Sequence, residues 1–223
     1  MSRPNTPMRA STPEMAHTLA RRAVARTVTE REQTYASEMQ RIVDATYGLI
    51  ERTGQVSPSL RDILAATNLS TQAFYRYFQS KDELMLLLLD DGRRKLLDYL
   101  EHRMTKVAPD QRVRAWIQGV LAQAANAGAA ARTRPFLAHQ DRLAELFPVE
   151  QQQSVDLLVD QLGSAVQQLG RSRARSSRQA RRDAECIYEL AFGVLHRHLS
   201  RHTAPNTAEV DHLVDFAVKG CGA

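Results

Sequence analysis

Turn-forming residues are scarce in this sequence. Ten glycines and eight prolines stand among 223 residues, where average usage of about 7% and 5% would give roughly 27. A chain so poor in both has few places for the tight turns of a sandwich, barrel or propeller, and no segment reads convincingly as a strand. Cysteine is nearly absent. Cys186 and Cys221 cannot build a disulfide framework, so a reducing compartment is expected. The longest purely apolar run, Leu84 to Leu89, has six residues, against about 20 for a membrane-spanning helix. No apolar secretory core opens the chain. A mostly helical cytoplasmic protein without membrane partners is the expectation. Catalytic signatures are missing too: there is no phosphate-binding glycine loop, nucleophile elbow or HExxH. Neither enzyme activity nor a cofactor is expected. His196, His198, His202 and His212 gather near one helix end, but no cysteine or carboxylate completes a zinc set, so no metal is expected either.

The charge that is present leans positive, with 30 Lys and Arg against 25 Asp and Glu. Residues 1–37 hold six Arg and three Glu, with Pro4, Pro7 and Pro13 among Ser and Thr. From Ala16 a helical pattern emerges, with Leu19, Ala20, Ala23, Val24, Thr27 and Val28 on one face and Arg21, Arg22 and Arg26 opposite. This stretch reads as an extension, partly disordered or helical. A basic arm of this kind can reach DNA phosphates.

A firm helix is expected from about Ser37 to Arg52, ended by Gly54. Ser57-Pro58 reads as an N-cap with proline at the first helical position, opening a short helix from Ser59 to Ala66. Thr67-Asn68-Leu69 makes a turn in which Asn tolerates the left-handed conformation. Ser70 caps a third short helix, Thr71 to Tyr77, and Ser80-Lys81-Asp82-Glu83 reads as a capping box opening a long one. Helices are further expected at 81–104, 110–127, 134–146 (beginning at Pro135), 149–169, 180–200 and 207–219.

Two short helices joined by a tight turn, between a longer helix and a cap, are a helix-turn-helix signal. The stretch from Ile63 to Ser70, followed by Phe74-Tyr75-Arg76-Tyr77-Phe78-Gln79-Ser80-Lys81-Asp82-Glu83-Leu84, closely resembles the TetR family of bacterial transcription regulators. The resemblance spans roughly residues 39–86. Its departures are Thr67-Asn68 where many members have Ala-Gly, Gln72 where many have Gly, and Asp82 in place of Glu.

The resemblance implies an all-α fold: a three-helix DNA-binding domain at 38–84 and, at 85–223, a helical bundle for effector binding and dimerisation. Thr71 and Gln72 begin the recognition helix, where Gln suits a bidentate contact to adenine, and Arg76 can reach guanine or a phosphate. Tyr75 and Tyr77 resemble the family's backbone-contacting pair. Ser59, Ser70 and Lys81 sit at helix starts, where exposed N–H groups favour anions. One recognition helix reads few base pairs, so a homodimer on a palindromic operator is expected. Its interface is expected from Ile187, Leu190, Ala191, Val194 and Leu195 with Val210, Leu213 and Val214, because residues 184–199 leave almost no polar face.

Trp116, Gln123, Asn126, Phe136, His139 and Phe147 are candidates for an effector pocket. Few charges are expected in the core, so the effector reads as mainly apolar, an acyl-CoA or lipid-like compound among the options. Arg171, Arg173, Arg175, Arg178, Arg181 and Arg182 form a basic run that reads as a solvated segment or as an anion site. A repressor released by its effector is the leading expectation. An activator, an effector-independent regulator and a nonspecific architectural DNA binder stay open.

Overall fold

The computed structural model describes residues 13–55, 58–137, 139–169 and 176–222. It is helical throughout, with no strand among the described residues. The helices are α1 (Pro13–Thr53), α2 (Leu60–Thr67), α3 (Thr71–Tyr77), α4 (Lys81–Thr105), α5 (Arg112–Ala125), α6 (Ala127–Leu137), α7 (Gln140–Leu146), α8 (Pro148–Gln167), α9 (Ser177–Arg201) and α10 (Thr207–Gly220), with a 3-10 turn at Pro109–Gln111. The chain divides into two compact units, residues 1–44 and 45–223.

In the first unit the backbone is one helix from Pro13 onward, so the helix expected to begin near Ser37 starts 24 residues earlier. No proline or glycine between Pro13 and Asp44 interrupts the i to i+4 ladder. The anticipated apolar face lies open where it is described, with Val24 64% and Val28 48% exposed. Residues 1–12 and the side chains of Ala16, Leu19, Ala20, Arg21, Arg22 and Ala23 lie outside the described residues.

In the second unit the core is a bundle centred on α5, which touches α4, α6, α8, α9 and α10. Val113, Trp116, Ile117, Val120, Leu121 and Ala124 are all buried, so almost every side of α5 faces protein. A large apolar side chain fully removed from water contributes about 1.5–3 kcal/mol. Trp116 also satisfies its polar edge: Nε1 donates to Gln161 Oε1 at 3.2 Å, and Gln161 Nε2 donates to the Leu97 carbonyl at 3.1 Å. Where α4 crosses α5 the glycine is required. A Cβ on Gly119 would lie 2.5 Å from Leu100 Cδ2. Ion pairs tie the rim: Arg114 spans to Asp211 and Asp215 on α10, and Arg181 on α9 reaches Asp156 and Asp160 on α8.

Three expected boundaries move. The cap of α2 is Ser59, which accepts from the Asp62 N–H while Asp62 accepts from the Ser59 N–H, a full capping box. Ser57 lies outside the described residues. Ser80 caps α4, but Glu83 turns to the Gln79 N–H instead of the cap residue, so the reciprocal half of that box is displaced by one residue. Pro135 lies near the end of α6 instead of opening a helix, and the break follows Leu137. A proline removes the helical N–H that would bond four residues back, so α6 stops soon after it.

The dimer face also needs correction. Ile187, Ala191, Leu195 and Val214 are buried in the core of their own subunit, and Leu213 is nearly so. At about 100° per residue Ile187, Ala191 and Leu195 form one inward stripe of α9 with Ala184 and Leu199, and Leu213 and Val214 face inward from α10. Glu185, Cys186, Glu189, Gly193 and Arg197 occupy the outward face. Of the eight residues expected at an interface, Leu190, Val194 and Val210 retain accessible surface outside that core.

Candidate functional site

The helix-turn-helix is set by local hydrogen bonds. Asn68 adopts the left-handed conformation, φ 54° and ψ 37°, and its N–H returns to the Leu64 carbonyl. Leu69 N–H returns to the same carbonyl at 3.1 Å, so the end of α2 is satisfied within three residues. Ser70 then caps α3 by accepting from the Ala73 N–H. Inside the bend Ile63, Phe74 and Phe78 are buried, with the two Phe rings 5.1 Å apart.

That anchoring turns the other side of α3 outward. Thr71, Gln72, Tyr75 and Arg76 are exposed, and Tyr77 is half-buried. Tyr75 packs edge-on against Phe74, which aims its ring while leaving 53% of the residue accessible. Ser59 is exposed, but its hydroxyl donates to Asp62 Oδ2 and accepts from the Asp62 N–H, so it is engaged in the cap. Lys81 Nζ donates to the Pro58 carbonyl at 3.4 Å, joining the start of α4 to the entry of α2. Arg142 on α7 holds Asp82 with two hydrogen bonds, of 3.1 and 2.7 Å, and keeps that carboxyl below its ordinary range. Tyr47 donates its hydroxyl to the Leu88 carbonyl. Its oxygen lies 3.1 Å from where a Cβ on Gly92 would stand, so α4 must approach α1 through a glycine.

The cavity lies elsewhere than the sequence suggests. A space of about 570 Å³ opens between α4, α6, α7, α8 and α9, and of the six expected residues Phe136 alone lines it. Trp116 is fully buried in the bundle core, and Asn126 is exposed at the start of α6. Gln123 donates to the Gly119 carbonyl of its own helix. His139 and Phe147 flank α7 without reaching the cavity. Arg93, Gln151, Tyr188 and His196 line it instead. Arg93 is buried enough for desolvation to lower its affinity for the proton, with Tyr188 and Asp90 opposing. Burial, and then the Arg93 charge, lower His196; burial raises Tyr188. The spacing of Tyr188, Phe192 and His196, four apart along α9, was the one sequence signal for this wall.

Of the basic run, Arg171, Arg173 and Arg175 lie outside the described residues. Arg178 and Arg182 are exposed on α9, and Arg181 is taken up by Asp156, Asp160 and Glu185. His198 is held by Thr203 and by Glu209 Oε2, each at 2.8 Å.

A helix-turn-helix with an outward recognition helix, backed by a helical bundle, defines a DNA-binding regulator. Residues 42–88 match the sequence model of the bacterial regulatory proteins of the tetR family. The fold agrees. A TetR transcription regulator from Haloarcula marismortui superposes with a TM-score of 0.63 at 16% identity, over 84% of this chain and 97% of that one. The fatty acid degradation regulator FadR from Bacillus halodurans gives 0.59 at 16%, over 82% and 95%. A TetR-like transcriptional regulator from a Rhodococcus species gives 0.54 at 17%, over 83% and 96%. No curated protein matches the sequence. Residues 42–88 therefore carry the amino-terminal domain of the TetR family, and the chain has the fold of TetR-family transcription regulators. That family and fold are those of regulators and not of enzymes. TetR-family regulators bind DNA and usually dimerise. Among the described residues, no helix is long and apolar enough to cross a membrane.

Proposed function

We propose that this chain is a homodimeric cytoplasmic repressor, released from a palindromic operator by a small-molecule effector. Residues 38–84 would read the DNA and residues 85–223 would bind the effector and pair the subunits, with 1–37 as a basic arm. The observation that carries this reading is the two-faced α3: Phe74 is fully buried, while Thr71, Gln72, Tyr75 and Arg76 stand exposed on one short helix. Gln72 and Arg76 offer the hydrogen-bonding pattern that major-groove base edges accept, and Tyr75, Tyr77, Ser70 and Lys81 are assigned to phosphates. Ser59 contributes through its cap more than through a free hydroxyl.

Dimerisation is supported by apolar surface that the subunit itself leaves open on the last two helices. Phe216 is 59% exposed and Leu190 40%. Val194 and Val210, half-buried against the subunit's own core, keep some surface beside them, and a second copy of the chain would cover these positions.

Selection of genomic fragments by the purified protein at near-physiological salt tests the whole reading. Recovery of an inverted repeat is the expected result. Gln72→Ala should weaken binding to that site by about 1–3 kcal/mol, the value of one good bidentate base contact. Recovery of DNA without any motif, with a steep salt dependence, would instead establish a nonspecific binder.

A further inference from the structure

The cavity between α4 and α9 is lined by the hydrogen-bond donors Arg93 and Gln151 and, farther along α8 and α9, by the carboxylates Asp156, Glu185 and Glu189. Arg93 donates from Nη1 to Gln151 Oε1 at 2.8 Å and makes no ion pair among the described residues. A guanidinium only donates, so Gln151 must turn its oxygen toward Arg93. That fixes the amide nitrogen on the other side, where Nε2 has no hydrogen-bond partner although the residue is only 8% exposed. Buried donors in folded proteins are normally satisfied, and one that is not calls for an acceptor.

The surroundings divide into a polar end and an apolar wall. Tyr188, Phe192 and His196 stand four residues apart on α9, the first two rings stacked at 4.3 Å and Phe192 edge-on to His196 at 6.0 Å. Leu89, Phe136, Leu137, Val155 and Val159 add aliphatic and aromatic surface to the lining. The nearby carboxylates are engaged elsewhere: Asp156 and Glu185 bind Arg181 at 2.6 and 3.1 Å, and Asp90 binds Arg94 at 2.9 Å. Glu189 is exposed at the rim.

We propose that this cavity binds a monocarboxylic acid with an apolar body, its carboxylate held by the Arg93 guanidinium and the free Gln151 amide. A planar fork of donors fits a carboxylate, and a single guanidinium neutralises a single charge. At about 570 Å³ the space falls within the roughly 300–1,000 Å³ of small-molecule sites. The aromatic stack on α9 and the aliphatic side chains opposite then receive the body. This narrows the mainly apolar effector anticipated from the sequence to one that carries a single carboxylate. It builds on the regulator reading for its biological consequence, but binding itself is independent of DNA.

Calorimetric titration of the full-length protein, without DNA, tests it. The probes are hexanoate, octanoate, decanoate, dodecanoate and 4-phenylbutyrate, each beside its primary alcohol, with octyl phosphate as a further arm. At least one acid should bind tenfold or more tightly than its alcohol. Arg93→Met should abolish that preference, bringing acid and alcohol within about threefold of each other. Should that variant fold poorly, Gln151→Leu carries the same test and should reduce acid binding severalfold. The inference is overturned if no acid exceeds its alcohol tenfold, if octyl phosphate binds more tightly than every acid, or if both variants keep the acid preference. Operator binding without acid preference would remove this inference and leave the regulator reading standing. Acid preference without sequence-specific DNA binding would do the reverse.

Discussion

Helices α2 and α3 have eight and seven residues and bury one residue each, Ile63 and Phe74, whereas α5 alone, with fourteen, buries eight. Isolated helices under about 12 residues are marginal in water, so the helix-turn-helix cannot rest on its own length. It rests on side chains that satisfy backbone groups at each end, at Ser59, Asn68 and Ser70, and on the few buried rings beneath. The bundle has the opposite balance. The helices that pack on α5 are longer, from eleven residues in α6 to twenty-five in α4 and α9, and burial around α5 holds them.

Substitutions can break that contrast at either pole. The largest effect is expected from Trp116→Ala, which empties a fully buried site at the bundle centre. Denaturant unfolding should show a loss of about 3–5 kcal/mol; a loss below about 1 would mean that the core is not held around α5. Gly119→Ala is next. Its Cβ would meet Leu100 Cδ2 at 2.5 Å where α4 and α5 cross, and overpacking of this kind costs about 1–3 kcal/mol by the same measurement.

At the other pole, Asn68→Ala should cost about 1–2 kcal/mol, because alanine resists the left-handed conformation. Asn68→Gly should be close to neutral. Thermal unfolding of the pair separates conformational strain from lost contacts, since both remove the same side-chain groups. Equal losses would show that the turn does not depend on its positive φ.

The smallest expected effect is on pH. Burial, and then Arg93, lower the native proton affinity of His196, and burial followed by Lys81 lowers that of His139. The unfolded chain, titrating near 6.5, therefore takes up protons first as pH falls. The contribution of these groups is complete above about 6.5 and is lost progressively below it. Unfolding free energies at pH 7.5 and 5.5 should differ in that direction, and His196→Asn should remove part of the difference. An unchanged pH dependence in that variant would exclude His196 as its source.

Much of the fold was legible in sequence because its signals are local. Ser70, Asn68 and Gly54 act on backbone groups within four residues of themselves, so their roles survive without knowledge of the rest. The α2 cap was misread by two residues because Ser57-Pro58 and Ser59 compete as starts, and the Asp62 partner that decides between them was overlooked. The helical pattern from Ala16 was legible, but not its continuity with the helix at Ser37 as one α1, because residues 24–37 are all exposed and no buried face carries the periodicity across the join. Of the candidate site, the exposed face of α3 was legible in the sequence and the cavity lining was not. For the cavity, aromatic composition pointed to Trp116 and Phe147, whereas the lining is set by which helices happen to face each other across α8 and α9.

What the sequence determined by itself is the helical class, the helix-turn-helix and the outward residues of α3, since these follow from periodicity, caps and one turn. Tertiary structure alone decided which face of α9 is inward, leaving Leu190 outside and Ile187, Ala191 and Leu195 within. It also brought Arg93 to Gln151 across 58 residues of chain. Such pairings depend on the packing of whole helices, because a side chain 58 residues away leaves no periodic trace in the segment it will meet.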